Sequence, residues 1–402
     1  MKFVWITQKW PFPSEDGARQ ATTQLLKQLT SLGAEIHLCA IIPQSESPDF
    51  TQAIQELGVR SVQPVYRAKG SKWLHLWNFF RHPGIPVTIA PYASELVSEG
   101  VKAFLESHPD ALVVHDGLHA AGWTVKAGHF LRQSIYRAHN VEQDIWVRAA
   151  KEAKNPILHA LLSYQSVLVS AFEKKIAESS RAVFPVSEVD KSIFNKLVKG
   201  PAIVSIPIGI ATPPGTKPVE LIQGGPRRIL FVGRLDWPPN RDGLRWVLDK
   251  VWPTAIQKAP DLELTIIGSG DGEWLKPYVQ LPGIRVLGRV ESVEPYYAQC
   301  LVSIVPIFYG SGTRVKVIES SLNYRACIST AIGIEGIAVE PGLHYFQAET
   351  ESEWIDVLTN LSSAEAREFG QRAFDLARKQ FDPRQIAEKF LAMVQHFCFN
   401  LI

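Results

Sequence analysis

Short apolar runs alternate with longer amphipathic stretches along the whole chain. This alternation is typical of parallel β-sheets covered by helices, because a strand buried on both faces is apolar throughout, whereas a surface helix is apolar on one side only. The sequence therefore predicts an α/β fold. The predicted strands are Phe3–Thr7, Ile36–Ile42, Ser61–Tyr66, Leu112–His115, Ser134–Arg137, Ala182–Val186, Ile203–Ile206, Leu262–Ile267, Ile284–Leu287, Leu301–Ile307 and Cys327–Thr330, with one more running from Arg228 into a glycine turn.

A stretch rich in proline and glycine, Pro213–Pro226, interrupts this alternation and is the best linker candidate. We therefore predict two doubly wound domains: residues 1–205 with the C-terminal helix 383–402, and residues 206–382. Parallel sheets bind ligands at the carboxyl ends of their strands, so the functional site is expected in a cleft between the domains. Helices of the second domain are predicted at Arg241–Lys258, Val293–Gln299, Thr313–Asn323 and Ser352–Leu361, and a last helix at Pro383–Phe399.

The net charge, the cysteines and the lengths of the apolar runs limit which kinds of protein this chain can be. The net charge is only +2 over 402 residues, so no nucleic-acid partner is expected. The four cysteines are far apart and lie mostly within apolar runs, which predicts reduced core residues of a cytoplasmic protein, not disulfides or a metal site. No apolar run approaches the length of a membrane span.

The segment from Leu301 to Glu319 carries the strongest chemical signal. An apolar strand leads into a Gly-Ser-Gly turn at 310–312 and then into a helix that carries Arg314, Lys316 and Glu319. Free N–H groups at a helix start, glycines that permit close approach and two cations together form a site for phosphate. A carboxylate further along the helix can bind sugar hydroxyls but repels phosphate. The segment therefore predicts a nucleotide sugar as ligand, with the diphosphate at the helix start and the ribose near Glu319.

Four motifs follow one another in the second half: Phe231–Leu235, Ile266–Gly270, Gly288–Val290 and the segment ending at Glu319. In this order and spacing they resemble the retaining glycosyltransferases of family 4, which have the GT-B fold. The resemblance covers most of residues 1–380 and is strongest from 228 to 345. It implies two Rossmann-like doubly wound domains, an interdomain cleft and a C-terminal helix that crosses back to the first domain.

The resemblance assigns the donor pyrophosphate to the turn after the first strand of the second domain. Gly233 and Arg234 match the family there, but the lysine expected about six residues later is missing, and Asn240 or Arg241 stands in its place. Arg241 is predicted to supply the charge, the alternative being a solvated residue at a helix start. Further donor contacts are implied for Gly268, in the turn after the next strand, and for Arg289 and Val290, beside the base.

The resemblance also interprets the helix that carries Glu319. This residue matches the second of two family glutamates eight positions apart and is predicted to bind the ribose. The position of the first glutamate is Ser311, so a contact to the donor sugar is lost and the donor identity stays open. Arg314 and Lys316 are predicted to contact the leaving diphosphate or an acidic donor sugar, the alternative being solvated helix cations. The donor site is implied to include Ser311, Gly312, Thr313, Arg314 and Glu319.

Two segments of the first domain match the family as well. The loop Trp10–Arg19 resembles the glycine loop over the donor phosphates, with Gly17 as the expected contact and Arg19 as either a second contact or a surface residue. The segment Tyr136–Glu142 resembles the one that carries an active-site histidine. The resemblance thus implies three catalytic residues, His139, Arg234 and Lys316, and three residues on the acceptor side, Asn140, Glu142 and His115.

The resulting functional prediction is sugar transfer from a UDP- or GDP-type donor to a hydroxyl of a glycan, lipid-linked or protein acceptor, with retention of configuration. Departure of the diphosphate is the costly step, so cations and helix N–H groups are predicted to stabilise the developing charge. No cofactor or metal is expected, because the sequence shows no carboxylate cluster with metal spacing. The alternatives are a GT-B epimerase or phosphorylase, or a nucleotide-sugar-binding subunit without activity.

Two expectations concern the whole molecule. The segment Lys72–Arg81 holds four aromatic residues and two leucines between cations, which favours either peripheral contact with the inner face of a membrane or a helix buried in its own domain. The donor motifs follow residue 228, whereas Gly17 and His139 precede the linker. Donor binding is therefore expected to draw the domains together.

Overall fold

The computed structural model describes residues 1–13, 17–68, 84–127, 134–153, 155–216, 218, 225–310 and 314–399. The chain divides into two compact units. The first unit consists of Met1–Ile210 together with Pro383–Ile402, and the second of Ala211–Asp382. Each unit contains one parallel sheet and the helices that connect its strands, which confirms the predicted α/β class.

The sheet of the first unit has seven parallel strands in the order β3-β2-β1-β4-β5-β6-β7. Thr7 at the end of β1 pairs with Asp116 at the end of β4, which in turn pairs with Arg137 near the end of β5. These residues therefore lie side by side at the edge where parallel sheets bind ligands. The strands are β1 (Lys2–Thr7), β2 (Glu35–Pro43), β3 (Ser61–Arg67), β4 (Leu112–Asp116), β5 (Ser134–Ala138), β6 (Ala182–Pro185) and β7 (Ala202–Ile203).

The sheet of the second unit has six parallel strands in the order β10-β9-β8-β11-β12-β13. Its two central strands, β8 and β11, lead into the Gly233–Arg234 turn and into the segment that ends at Glu319. The strands are β8 (Arg227–Val232), β9 (Leu262–Ile267), β10 (Ile284–Gly288), β11 (Val302–Val305), β12 (Cys327–Ser329) and β13 (Phe346–Gln347).

Helices connect the strands in both units. In chain order they are α1 (Gly17–Ser31), α2 (Phe50–Leu57), α3 (Glu95–Glu106), α4 (Thr124–Ala127), α5 (Glu142–Glu152), α6 (Pro156–Ser179), α7 (Glu188–Leu197), α8 (Pro238–Trp246), α9 (Trp252–Lys258), α10 (Glu294–Gln299), α11 (Val315–Leu322), α12 (Glu351–Asn360), α13 (Ser363–Gln380) and α14 (Pro383–Val394).

The last helix, α14, belongs to the core of the first unit. Phe390 is fully buried, and its ring centroid lies 5.6 Å from that of Trp5, 6.1 Å from that of Phe3 and 5.4 Å from that of Phe184. Aromatic pairs at these separations stabilise beyond the apolar area that they bury. The predicted return of the C-terminal helix to the first unit is confirmed.

The predicted helix Arg241–Lys258 is interrupted. Helix α8 passes through a π-helical turn, Val247–Val251, before α9 begins. Pro253 lies in the first turn of α9, where it has no N–H to donate to the preceding turn and its ring crowds the carbonyl there. The wider π-helical turn relieves the clash between the Pro253 ring and that carbonyl, and the helix continues into α9 with its apolar side still buried.

Helix α13 was not predicted, because its buried face is made mainly of small residues. Ala366, Gly370, Ala373 and Ala377 are buried on this face, with Phe374 as the one large apolar side chain among them. A Cβ on Gly370 would lie 2.3 Å from the carbonyl oxygen of Tyr324, so the helix packs directly on backbone. Such close packing leaves little apolar periodicity in the sequence.

Within the described ranges, no helix has the length and apolarity needed to cross a membrane. Within the same ranges, no group of three or more histidine, cysteine or acidic side chains is arranged to hold a metal ion.

Candidate active site

The turn after β8 is packed so closely that residue 233 has no space for a side chain. A Cβ on Gly233 would lie 2.7 Å from Nδ2 of Asn240 and 3.0 Å from Nζ of Lys316. A Cβ on Gly268, after the neighbouring strand β9, would lie 1.9 Å from the carbonyl oxygen of Gly233. The two glycines let adjacent turns approach closely at the carboxyl edge of the sheet, beside an ammonium group.

Asn240 connects the two sides of this turn. Its side chain is buried, and its Nδ2 donates to the carbonyl oxygen of Arg234 at 2.8 Å. Its Oδ1 accepts a hydrogen bond from Nζ of Lys316 at 2.5 Å. The amide therefore holds the lysine of α11 against the turn after β8, where the family pattern placed its missing lysine.

The ammonium group of Lys316 is poorly solvated. Burial and the charge of the nearby Arg314 lower the pKa of Lys316 to about 7, although Glu319 acts in the opposite direction. Nζ also lies 5.0 Å from the centroid of the Phe231 ring. An anion bound here would supply the counter-charge that the protein only partly provides, and would favour the charged form of the lysine.

Arg234 is half exposed and forms a bidentate ion pair. Its Nε and Nη2 donate to the two carboxylate oxygens of Asp236, at 3.0 and 2.7 Å. This hydrogen bonding lowers the pKa of Asp236. Gly270 has a positive φ of 94°, and a Cβ there would lie 2.4 Å from Oδ1 of Asp236. The same fork of N–H groups has the geometry that binds phosphate oxygens.

The prediction for Arg241 is corrected. Its Nε donates to Oδ1 of Asp242 at 3.0 Å, and Tyr309 donates to the other oxygen of that carboxylate at 2.6 Å. The structure thus places Asn240, not Arg241, against Gly233. Successive side chains of a helix point in directions about 100° apart. Only one of the neighbours Asn240 and Arg241 can therefore face the sheet edge.

The other predicted donor residues are spread along the same edge. Gly288, with a φ of 66°, accepts a hydrogen bond from the N–H of Gly268 at 2.9 Å, and beyond it Arg289 is exposed while Val290 is half-buried. Arg314 precedes α11 and is buried, with its guanidinium carbon 5.8 Å from the Trp237 ring centroid. Ser311, Gly312 and Thr313 lie outside the described residues.

In the first unit, Asp116 is the centre of a buried polar cluster. Its Oδ1 accepts from Nη1 of Arg137 at 2.7 Å and from Nε2 of His139 at 2.7 Å, and its Oδ2 accepts from the hydroxyl of Thr22 at 2.5 Å. Burial acts to raise the pKa of Asp116, but the His139 and Arg137 charges and the hydrogen bonds from His139 and Thr22 hold it well below its usual range. The carboxylate is therefore charged at any physiological pH.

This carboxylate fixes the tautomer of His139. Since ionised Asp116 can only accept, the ring nitrogen that faces it, Nε2, carries the proton. Nδ1 is then the nitrogen available as an acceptor or base. A histidine oriented by a carboxylate is a common arrangement for removing a proton from a hydroxyl group.

A small depression opens beside this cluster. Its lining includes Thr7, Lys9, Arg19, Thr22 and His139. Arg19 lies in the first turn of α1, which begins at Gly17, and its Nε donates to the carbonyl oxygen of Trp10 at 2.9 Å. Arg19 thus holds the loop before α1 and also contributes charge to the depression.

The prediction that His115 faces an acceptor is corrected. Its side chain is fully buried, its Nε2 accepts from the indole N–H of Trp123 at 3.2 Å, and burial lowers its pKa to about 3. Successive side chains of a strand point to opposite faces, so His115 enters the core while Asp116 faces the site.

Residues after His139 are held by a buried acid on α6. Glu173 accepts from the backbone N–H groups of Glu142 and Gln143, both at 3.1 Å, and from the hydroxyl of Tyr136 at 3.0 Å. Burial and the charge of Glu142 raise the pKa of Glu173 to about 8, against the effect of these hydrogen bonds. Asn140 and Glu142 are half-buried in this turn.

The comparisons with known proteins point to one class of enzyme. Residues 226–363 match the family described as glycosyl transferases group 1. Among curated proteins, the chain is 26% identical over 267 residues to an uncharacterized 44.6 kDa protein in the cps region of Klebsiella pneumoniae. That match covers 63% of this chain and 66% of the relative, just under two thirds of its length.

Solved structures match the chain almost from end to end. Sucrose-phosphate synthase from Thermosynechococcus elongatus has a TM-score of 0.73 at 15% identity, covering 98% of this chain and 99% of that one. HepE of Anabaena, in complex with UDP and glucose, has a TM-score of 0.66 at 14% identity, covering 98% and 100%. A TarM variant of S. aureus, in complex with Fondaparinux, alpha-GlcNAc-glycerol and UDP, has a TM-score of 0.68 at 11% identity, covering 98% and 99%.

These likenesses confirm the predicted GT-B fold over nearly the whole chain. The matched domain spans the β8, β9, β10 and α11 segments that form the cradle around Gly233. Over residues 226–363 the chain thus matches a family of enzymes that transfer sugars.

Proposed function

We propose that this chain is a glycosyltransferase that moves a sugar from a UDP- or GDP-type donor to a hydroxyl acceptor, with retention of anomeric configuration. The observation that carries the proposal is the cradle around Gly233, where a poorly solvated ammonium group lies beside a turn that a single Cβ would fill. A leaving diphosphate would match the charge of the lysine beside this turn. Positive charge already in place stabilises the anion that develops as the glycosidic bond breaks.

Two cations of the second unit, Lys316 and Arg234, have distinct roles in this proposal. Lys316, fixed by Asn240, contacts the diphosphate beside Gly233. Arg234 exchanges its bidentate pair with Asp236 for one with phosphate oxygens, since both partners present two acceptors at similar spacing. Glu319 lies one turn beyond Lys316 on α11 and accepts hydrogen bonds from the ribose hydroxyls.

The buried cluster of the first unit serves the acceptor side of the proposed reaction. Asp116 keeps the proton of His139 on Nε2, so Nδ1 is able to accept a hydrogen bond from a hydroxyl group. The depression beside it has room for a small polar group and lies at the carboxyl ends of β1 and β4. No metal or cofactor is part of the proposal.

Nucleotide binding tests the donor half of the proposal. UDP and GDP are titrated calorimetrically into the wild type and into Lys316→Ala, Glu319→Ala and, as a matched control, Lys258→Ala, which removes an exposed lysine at the end of α9. Loss of Glu319 is expected to weaken nucleotide binding by roughly 1.5–3 kcal/mol, the range for charge-assisted hydrogen bonds. Equal affinities in all four proteins would refute the assignment of the cradle.

Transfer assays test the reaction itself. Lys316→Ala and Arg234→Ala are expected to lose far more in turnover than in acceptor affinity, because both residues act on charge that develops only as the donor bond breaks. The anomeric configuration of the product, read by NMR, decides retention. Release of a free epimer without acceptor would support an epimerase instead.

A further inference from the structure

Helix α8 lies against the chain that leaves β11. A Cβ on Gly243 of this helix would overlap the carbonyl oxygen of Pro306, so the helix touches the backbone there directly. The ring centroid of Trp246, at the end of the helix, lies 4.8 Å from that of Phe308. Residues 306–310, here called the approach segment, are the last described before the predicted phosphate turn.

Asp242 of α8 makes a charged contact to the approach segment. Its Oδ2 accepts a hydrogen bond from the hydroxyl of Tyr309 at 2.6 Å. Its Oδ1 accepts from Nε of Arg241 at 3.0 Å, so both oxygens of the carboxylate are held. Asp242 and Tyr309 are half-buried, and a hydroxyl that donates to a carboxylate forms a stronger bond than one between neutral groups. The bond fixes the side chain that immediately precedes Gly310.

Gly310 ends the approach segment beside the start of α8. Its φ is 116°, in the region that favours glycine. A Cβ there would lie 3.4 Å from Cγ of Pro239 in the first turn of α8, and 3.4 Å from Nη2 of Arg314. The residues that flank positions 311–313 therefore meet next to this helix.

The same helix holds the lysine that follows the turn. Oδ1 of Asn240 accepts from Nζ of Lys316 at 2.5 Å, and its Nδ2 donates to the carbonyl oxygen of Arg234 at 2.8 Å. Helix α8 thus contacts the approach segment through Asp242 and the ammonium group through Asn240. Because both residues belong to one helix, the approach segment and the ammonium group keep a fixed spacing while both contacts are intact.

We propose that Asp242 is a positioning residue for the nucleotide donor. Through Tyr309 it holds the approach segment at the spacing from Lys316 at which a diphosphate binds, and it does not itself contact the ligand. The inference rests on the proposed function, because it requires a nucleoside diphosphate beside Gly233. Without the hydrogen bond, only a fraction of the molecules has the binding geometry, and the apparent affinity falls by that fraction.

Calorimetric titration of the full chain with UDP and GDP tests the proposal. Tyr309→Phe, Asp242→Ala and the double variant form a mutant cycle for the hydrogen bond. The matched control is the pair Tyr278 and Asp249, because the hydroxyl of Tyr278 also donates to an aspartate of the same unit, at 2.7 Å. Tyr278→Phe and Asp249→Ala remove this bond from the π-helical turn that follows α8.

Tyr309→Phe and Asp242→Ala are each expected to bind the nucleotides at least about fivefold more weakly than the wild type. The double variant is expected to match the weaker single variant, because both substitutions remove one shared bond. The control variants are expected to bind within about twofold of the wild type. Uridine and guanosine, titrated by NMR, are expected to bind all the proteins equally, since they have no phosphate to be positioned.

Three results would overturn the proposal and leave the sugar-transfer proposal intact. They are equal nucleotide affinity in the wild type and Tyr309→Phe, additive losses in the double variant, and a loss of nucleoside affinity as large as that of nucleotide affinity. The last result would mean that the hydrogen bond only stabilises the unit. If the wild type binds neither UDP nor GDP, the proposed function fails and this inference fails with it.

Discussion

Substituting Asp116 by asparagine should destabilise the first unit strongly. The change preserves the size of the side chain but removes its charge, while Arg137 stays fully buried beside it. Breaking a buried ion pair by neutralising one partner costs about 3–5 kcal/mol, since the remaining charge is left uncompensated. Asp116 also accepts three hydrogen bonds, and two of them come from the charged Arg137 and the polarisable ring of His139. Weakening these bonds places the expected cost in the upper part of the range of about 3–5 kcal/mol.

Hydrogen exchange followed by mass spectrometry measures the loss locally. Peptides covering β4 and β5 report the opening of the first unit without contributions from the second. A loss of 3–5 kcal/mol corresponds to a rise in their exchange rates of roughly 100- to 4,000-fold. Asp110→Asn, an exposed aspartate just before β4, is the matched control and should change stability by less than about 0.5 kcal/mol.

The pH dependence gives a second criterion. Because the pKa of Asp116 is depressed in the folded protein, the unfolded chain binds the proton first as the pH falls below the ordinary aspartate value. The stabilisation by the Asp116 carboxylate is therefore complete at neutral pH and is lost in acid. The difference in unfolding free energy between the wild type and Asp116→Asn should become smaller at acidic pH. A variant within about 1 kcal/mol of wild type at pH 7, or a gap that widens in acid, would refute this reasoning.

Three further predictions concern single groups. Gly233→Ala places a Cβ 2.7 Å from Asn240 Nδ2 and 3.0 Å from Lys316 Nζ, so affinity for UDP or GDP should fall by about tenfold or more in calorimetry, with a nearly unchanged melting temperature. Because the pKa of Lys316 is about 7, nucleotide affinity should fall as the pH rises from 6 to 9, and Lys316→Arg should flatten this profile in fluorescence titrations. Glu173, whose pKa is raised to about 8, makes the wild type lose stability as the pH rises through that value, and thermal melts of Glu173→Gln should show a shallower loss.

Sequence patterns predicted the sheets well, because strands buried on both faces are apolar throughout. The bounds of β9 were predicted without error, and most others differ by one or two residues. Helix α13 was missed because its buried face is mainly alanine and glycine, which a search for large apolar residues does not detect. The interruption between α8 and α9 had one visible sign in the sequence, the proline at 253.

The candidate site shows where sequence reasoning stops. Lys316 was predicted to contact the leaving diphosphate or an acidic donor sugar, and the structure places its Nζ beside Gly233 in the turn after β8. Asn240 and Arg241 are adjacent in sequence, and only the helix phase decides which of them faces Gly233. His115 was predicted on the acceptor side because it lies at the end of a strand, but it is Asp116, one residue later, that contacts His139. The pairing of Asp116 with Thr7 and Arg137 across three strands is a tertiary fact that no local pattern contains.

The place of α14 in the first core has a consequence for biosynthesis. Phe3 and Trp5 are translated before the second unit, yet Phe390, which packs against both, is translated after it. The second unit can therefore fold on the growing chain while the first still exposes the apolar groove that α14 will fill. A nascent chain stalled before residue 383 would present that groove to chaperones and proteases, so the synthesis of α14 is the event that completes the core of the first unit.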